Sequence, residues 1–172
     1  MGRKDQQDFE RLLDEHRGIV YKLAIAYCPA GEDRDDLVQE ILFQLWRSFP
    51  SYDPSRRFST WMYRVALNTA ISFARSARTR TARLLPLEES EEAARVAAVP
   101  PAAGDDAELA DLRRMLQRLP ELDRALVLLH LEDKSHREIG EILGITETNV
   151  GTKLGRLKQT MRRELIPTDT EA

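Results

Sequence analysis

Between Pro54 and Arg83 the chain carries seven arginines and no acid, in a protein whose formal net charge is -3. Phe58, Trp61, Tyr63 and Phe73 interleave with them. Guanidinium groups hold phosphates, and aromatic rings offer stacking faces to unpaired bases. The chemistry within reach is therefore binding of nucleic acid, in part single-stranded. An amphipathic helix with a solvated basic face has the same composition. The elements around the stretch must decide between the two.

A second constellation lies near the end of the chain. Thr148, Asn149, Thr152, Lys153, Arg156, Lys158 and Gln159 fall away from an apolar row of Val150, Leu154, Leu157 and Met161. Arginine and lysine suit guanine edges and phosphates, and Asn or Gln suits adenine, so this row has the chemistry of major-groove readout. Other chemistries find little support. The single cysteine, Cys28, excludes an internal disulfide and follows the apolar run Leu23 to Tyr27, which favours buried packing over a reactive thiol. His16, His130 and His136 have no ligand spacing, so no metal is expected. No Gly-rich phosphate loop and no nucleophile motif occurs, so neither a cofactor nor an enzyme activity is expected. No apolar run reaches membrane-span length, and the first residues lack a signal-peptide or myristoylation pattern, so a soluble protein of the reducing cytosol is expected, without membrane insertion.

The positioning elements read as helices throughout, because 3.6-residue periodicity recurs and hairpin turns are missing. A first helix is predicted over Asp8–Tyr27, with Leu12, Ile19, Val20, Leu23 and Tyr27 on one face. A second runs over Asp35–Phe49, capped by Asp33 or Asp35, with rows Leu37-Ile41-Leu45-Phe49 and Val38-Leu42-Trp46. Pro50 stops it, and a loop leads to Ser59, the expected N-cap of a third helix over Thr60–Arg78. Its core row is Met62, Val65, Ala66, Thr69, Ala70 and Phe73, while Trp61, Arg64, Asn68, Ser72 and Arg75 line another side. From Leu84 to Asp111 there are eight acids and one base around Ala-Val-Pro-Pro-Ala-Ala-Gly, which reads as a flexible acidic linker.

After the linker come a helical lead-in through Leu109, Leu112, Met115, Leu116 and Leu119, then Pro120 and a helix to about Leu131. Ser135-His136-Arg137-Glu138 is a capping box opening a helix over His136–Leu143, which Gly144 ends in positive φ. Thr146 caps the last helix. A short helix, a glycine turn and a longer helix make a helix-turn-helix. The fold class is thus all-α, two small helical domains joined by a flexible linker: residues 1–83, the linker 84–106, the helix-turn-helix domain 107–166 and a tail 167–172.

The chain resembles the small bacterial sigma factors of the extracytoplasmic-function (ECF, group 4) type, the promoter-specificity subunits of RNA polymerase. In the first half the likeness is carried by Asp36-Leu37-Val38-Gln39-Glu40, Leu45-Trp46-Arg47, Phe58 through Ala66 and Asn68-Thr69-Ala70. In the second half it is carried by Leu119-Pro120-Glu121, Ser135 with Glu138-Ile139, Glu141 through Ile145, and Val150 with Lys153-Leu154 and Arg156. It covers about Phe9 to Arg83 and Leu109 to Leu165. The resemblance implies a non-enzymatic factor that binds core RNA polymerase, through the β′ clamp coiled coil and the β subunit, and directs promoter recognition, DNA melting and transcription initiation. Asp36, Gln39, Glu40, Phe43, Trp46 and Arg47 would meet polymerase, with Trp46 a candidate for the core as well. Arg56, Arg57, Phe58, Ser59, Trp61, Arg64, Asn68, Ser72 and Arg75 would meet the −10 element, duplex at its edge and melted beyond. Trp61 would be a wedge or a core anchor. Ser135, Arg137, Thr148, Asn149, Thr152, Lys153, Arg156 and Lys158 would read the −35 duplex. An anti-sigma partner is implied, as is a cytoplasmic location, nucleoid-associated when active. Within the acidic linker the resemblance allows nucleic-acid mimicry or simple solvation.

Three positions depart from the pattern. Gly151 stands where a basic residue is common, Glu147 near the recognition helix start would repel phosphate, and Gly155 weakens that helix by roughly 1 kcal/mol relative to Ala. A helix-turn-helix regulator that binds duplex DNA without polymerase is the alternative, although no dimerisation heptads accompany it. A helical nuclease would need Asp33, Asp35, Asp36 and Glu40 as metal ligands, and their place at a helix start explains them more simply.

Overall fold

The computed structural model describes residues 3–28, 31–84 and 107–165. The linker expected over 84–106 and the tail over 167–172 lie outside the described residues, except for the end of one helix at Leu84. Eight α-helices and no strand occur among them: α1 Arg3–His16, α2 Gly18–Tyr27, α3 Gly31–Ser48, α4 Phe58–Leu84, α5 Ala107–Arg118, α6 Glu121–Leu131, α7 His136–Leu143 and α8 Glu147–Leu165. A 3-10 turn, Phe49–Ser51, follows α3. Contacts divide the chain into a unit over 1–121 and a unit over 122–172.

In the first unit α2, α3 and α4 pack pairwise around one core. Val20 and Leu23 of α2, Leu37, Ile41 and Leu45 of α3, and Met62, Ala66 and Ala70 of α4 are buried there, as their periodicity predicts. Tyr63 and Leu67 are buried as well, which widens the apolar stripe of α4 beyond its expected row. The apolar stripe therefore covers more than one side of α4, and the polar row stands opposite it.

Several helix ends differ from expectation. The single helix predicted over Asp8–Tyr27 is two, separated at Arg17. There Val20 N–H donates to the Arg17 carbonyl at 3.1 Å, a tightened 3-10 bond, and Gly18 follows with its low helix propensity. The second helix begins at Gly31 rather than Asp35, so Asp33 and Asp35 sit inside its first turns, where their charge still suits the positive dipole end. Ser59 is not the N-cap of the third helix. Thr60 and Trp61 N–H both donate to the Arg57 carbonyl, at 3.1 and 3.3 Å, so the helix opens at Phe58, two residues earlier than a Ser59 cap would place it. It also runs to Leu84, six residues past the expected end.

The lead-in helix is present as α5, and its contacts are with the first unit. Gln117 Nε2 donates to the Ala26 carbonyl at 2.7 Å, and just past α5 the Glu121 carbonyl accepts from Tyr27 Oη at 2.7 Å. Grouping by contact therefore ends the first unit at Glu121, whereas the sequence expectation began a second domain at residue 107.

The second unit holds α6, α7 and α8 around Leu126, Leu129, Ile139, Ile142, Val150 and Leu154. Its turn chemistry is as predicted. The Ser135 side chain accepts from Glu138 N–H while Glu138 accepts from Ser135 N–H, a complete capping box. Gly144 ends α7 at φ 71°, in the left-handed region that costs glycine nothing. Asn149 N–H donates to Thr146 Oγ1 at 3.2 Å, capping α8.

Candidate nucleic-acid interface

Arg64, Asn68, Ser72 and Arg75 are all exposed on α4 and fall on one face, three and four residues apart. Arg78 continues the row one turn further. Its Nη2 lies 2.8 Å from Glu121 Oε1, a carboxylate that is itself mostly buried. Sequence reasoning ended the helix at Arg78 and so missed this extension, although the three-and-four spacing was there to follow. The row also borders a cleft of about 580 Å³ between α3 and α4, lined by Glu40, Gln44, Asn68, Ser72, Phe73 and Arg80 among others. Gln44 Nε2 donates to Glu40 Oε1 at 2.8 Å on the α3 wall. Glu40, expected with the polymerase-facing residues, thus borders the same cleft as Asn68 and Ser72.

Upstream of α4 the loop is held by its own bonds. Ser55 N–H donates to Asp53 Oδ1 at 2.9 Å, and Arg56 N–H donates to the Asp53 carbonyl at 3.0 Å. The backbone and side-chain donors of Ser55 hold the Asp53 carboxyl below its ordinary range, with a smaller contribution from Arg56. Arg56 and Arg57 are exposed. Arg56 Nε stands 3.8 Å from Asp53, a solvent-exposed pair of little energetic weight.

Six rings join the loop to the helices. Phe49 meets Phe9 at 5.1 Å, Tyr52 at 5.8 Å, Phe58 at 6.4 Å and Trp61 at 6.1 Å between centroids. Trp61 also lies 5.3 Å from both Tyr52 and Phe58, and Phe9 lies 5.2 Å from Trp46. Phe58 is 5% exposed, so it supports this cluster from beneath and cannot offer a face to a base, contrary to its expected place among the DNA contacts. Ser59 is half-buried. Trp61 is half-buried too, its ring set against Phe49, Tyr52 and Phe58 in the cluster.

On α3, Asp36, Gln39, Phe43, Trp46 and Arg47 reach the surface. Phe43 is 55% exposed and Trp46 36%, large apolar residues on a helix that already has a complete buried row. In the second unit Thr148, Asn149, Thr152, Arg156 and Lys158 are exposed along α8, with Lys153 half-buried. Ser135 is occupied by the capping box, and Arg137 Nε lies 3.7 Å from Glu141 on the surface of α7. Among the described residues no cluster of His, Cys, Asp or Glu could hold a metal ion, and no helix is long and apolar enough to cross a membrane.

Comparison with known proteins matches both units to one family. Residues 12–80 match sigma-70 region 2 and residues 109–161 match sigma-70 region 4. The ECF RNA polymerase sigma factor SigW of Bacillus subtilis is 27% identical over 94% of this chain and 90% of its own length. SigE of Mycolicibacterium smegmatis is 32% identical over 95% of this chain and 63% of its own length, and the Escherichia coli sigma-E factor is 29% identical over 95% and 89%. In fold, the chain is similar to the sigma factor RpoE solved with the anti-sigma factor NepR from Bartonella quintana (TM-score 0.69, 22% identity, 95% of this chain and 99% of that one). It is also similar to CnrH solved with the cytosolic domain of CnrY (TM-score 0.58, 21% identity, 93% and 88%). With both regions matched in order and relatives aligned over nearly the whole chain, the protein belongs to the ECF-type sigma factors of bacterial RNA polymerase.

Proposed function

We propose that the two units divide the work of a sigma factor by the state of the DNA each one meets. The chain binds core RNA polymerase and directs promoter recognition. The observation that carries the division is the exposed row Arg64, Asn68, Ser72 and Arg75, beside a loop bearing Arg56 and Arg57 and an aromatic cluster half open at Trp61. Charge there grips backbone and Trp61 offers a ring to an unstacked base, which suits a −10 element as it opens. The capped helix-turn-helix lacks such rings on α8 and presents hydroxyl, amide and cationic groups at helical spacing, which suits the −35 element as duplex. Phe43 and Trp46, with Asp36, Gln39 and Arg47 around them, form the face of α3 that meets polymerase, where a partly apolar patch rimmed by polar groups fits a protein partner.

The factor acts by binding rather than by catalysis, in the cytoplasm and on the nucleoid when engaged. An anti-sigma protein covering the α3 face would hold it inactive; the similar RpoE was solved bound to an anti-sigma factor. The deciding experiment adds the full chain to core polymerase and measures promoter-specific initiation. Arg64→Ala and Asn68→Ala should slow opening more than they weaken −35 binding, and Arg156→Ala should do the reverse. Equal losses in both assays, or operator binding with no transcription in the presence of polymerase, would refute the division.

A further inference from the structure

The loop that carries Arg56 and Arg57 is short and exposed from Asp53 to Arg57, so it contributes no core packing of its own. Asp53 organises its near half through Ser55 and Arg56 N–H. Its far half is held by Tyr52, whose Oη donates to the Arg56 carbonyl at 2.8 Å across the turn. The Tyr52 ring is fixed in turn: it stacks on Phe49 at 24° and meets Phe58 nearly edge-on at 85° and Trp61 at 48°. One side chain therefore links the basic loop to the ring cluster that anchors Trp61. Burial, and then the charge of Asp53, raise the Tyr52 hydroxyl above its ordinary value of 10.0, so it stays protonated and donating at neutral pH.

We propose that Tyr52 is a positioning residue for promoter opening, its hydroxyl holding the Arg56 carbonyl so that Arg56 and Arg57 face the separating strands alongside Trp61. The inference rests on reading this loop as part of the −10 interface. Without the hydroxyl the ring still fills the cluster, but the turn from Arg56 to Arg57 gains freedom. Each encounter with the opened strand must then order it again, at a cost that falls on isomerisation and spares the initial closed complex. A single hydrogen bond of this kind corresponds to roughly a threefold to tenfold change in rate.

The test uses the full chain with core polymerase and a promoter carrying 2-aminopurine in the −10 element, which separates the closed-complex binding constant from the isomerisation rate. Tyr52→Phe should slow isomerisation by about threefold to tenfold. It should leave the binding constant and the affinity for core polymerase unchanged. In a background of Arg56→Ala and Arg57→Ala, which is slow by itself, Tyr52→Phe should add nothing. A wild-type isomerisation rate for Tyr52→Phe beside a slow arginine double variant would overturn the proposal alone. An equal slowing by Tyr52→Phe in both backgrounds would also overturn it, as would a fall in thermal midpoint and closed-complex binding together. Wild-type opening by the arginine double variant would overturn the reading of the loop, and the proposal with it.

Discussion

Gly140 is the residue on which the helix-turn-helix closes. It lies in the middle of α7, where an isolated glycine ordinarily costs about 1 kcal/mol relative to alanine. A Cβ built on it would stand 2.6 Å from the Ile145 carbonyl oxygen, with Glu147 N at 3.6 Å and the Thr146 carbonyl carbon at 3.7 Å. The crowding atoms are backbone, so no side chain can rotate away. The Gly140 carbonyl also accepts from Gly144 N–H at 2.8 Å and Ile145 N–H at 3.1 Å, which ties the turn to the glycine on both sides. Gly140→Ala must therefore push the Ile145–Thr146 backbone outward and carry the start of α8 with it. Overpacking of this kind costs about 1–3 kcal/mol, and the gain in helix propensity returns about 1. The net expectation is a loss of up to about 2 kcal/mol from a small unit whose core has little to spare. That corresponds to a fall in its thermal midpoint of roughly 4–8 °C per kcal/mol. Because α8 begins on the displaced backbone, affinity for −35 duplex should fall together with stability. Gly155→Ala is the matched comparison, since nothing lies within 4 Å of its added Cβ and it sits exposed in α8. It should raise the midpoint through propensity alone. Unfolding followed by circular dichroism, with duplex binding by anisotropy, measures both. If Gly140→Ala melts at or above the wild-type midpoint, the close-approach argument is wrong.

Further outcomes follow from other parts of the surface. Phe43→Ala removes a ring that is 55% exposed, so the thermal midpoint should hardly move while core-polymerase affinity falls roughly tenfold or more, measured by competition for core enzyme. Arg64→Ala and Arg75→Ala should each lower the slope of log affinity against log salt for a −10 single strand by about 0.7, whereas Ser72→Ala should leave the slope alone. Asp53 is held below its ordinary 3.8 in the folded loop, so the order it confers is complete above that value and disappears as pH falls through the lowered folded one. The Ser55 amide resonance should follow that titration, and Asp53→Asn should abolish the pH dependence.

The parts of this fold that were legible in the sequence are those fixed by residues close together in the chain. Ser135 and Glu138 are three apart and cap one another. Gly144 needs only its own backbone freedom, and Thr146 reaches a donor three residues on. The apolar rows of α3 and α4 were legible for the same reason, because a helix brings its own i+3 and i+4 neighbours together. What stayed hidden depends on partners distant in sequence. Phe9 meets Trp46 and Phe49 from the other end of the unit; its spacing with Leu12 and Leu13 marks an apolar face of α1 but does not say which rings that face will meet. Phe58 was read as a ring for DNA because it stands among arginines, yet Phe49, Tyr52 and His16 close over it. The docking of α5 on α2 through Gln117 and the Ala26 carbonyl spans more than ninety residues, across a segment whose composition suggested separation. Ser59 has the right chemistry for an N-cap and lost the position because the Arg57 carbonyl already accepts the first helical bonds.

Core packing and the rows proposed for recognition occupy different faces of α4 and of α8. On α4, Met62, Ala66, Leu67 and Ala70 are buried while Arg64, Asn68, Ser72 and Arg75 are exposed; on α8, Val150 and Leu154 are buried while Thr148, Thr152 and Arg156 are exposed. A side chain that contributes no core packing can change without unfolding the unit, so the promoter preferred by such a protein can drift while the fold persists. At 1.5 Å per residue, α4 spreads Arg64 and Arg75 over roughly 16 Å, close to five phosphate steps of a B-form strand. The amide of Asn68 and the hydroxyl of Ser72 stand between them. Charge at the ends and hydrogen-bonding groups at the centre fit a strand gripped by its backbone and examined at one or two bases. The separation of faces fails only where a recognition element has no helix beneath it. Arg56 projects from a loop with no buried side chain of its own, and its geometry is borrowed from Asp53 and Tyr52, while Arg57 beside it is held at the start of α4 through its carbonyl. Substitutions at those two supports should therefore change promoter opening without touching DNA, which the exposed rows of α4 and α8 cannot do.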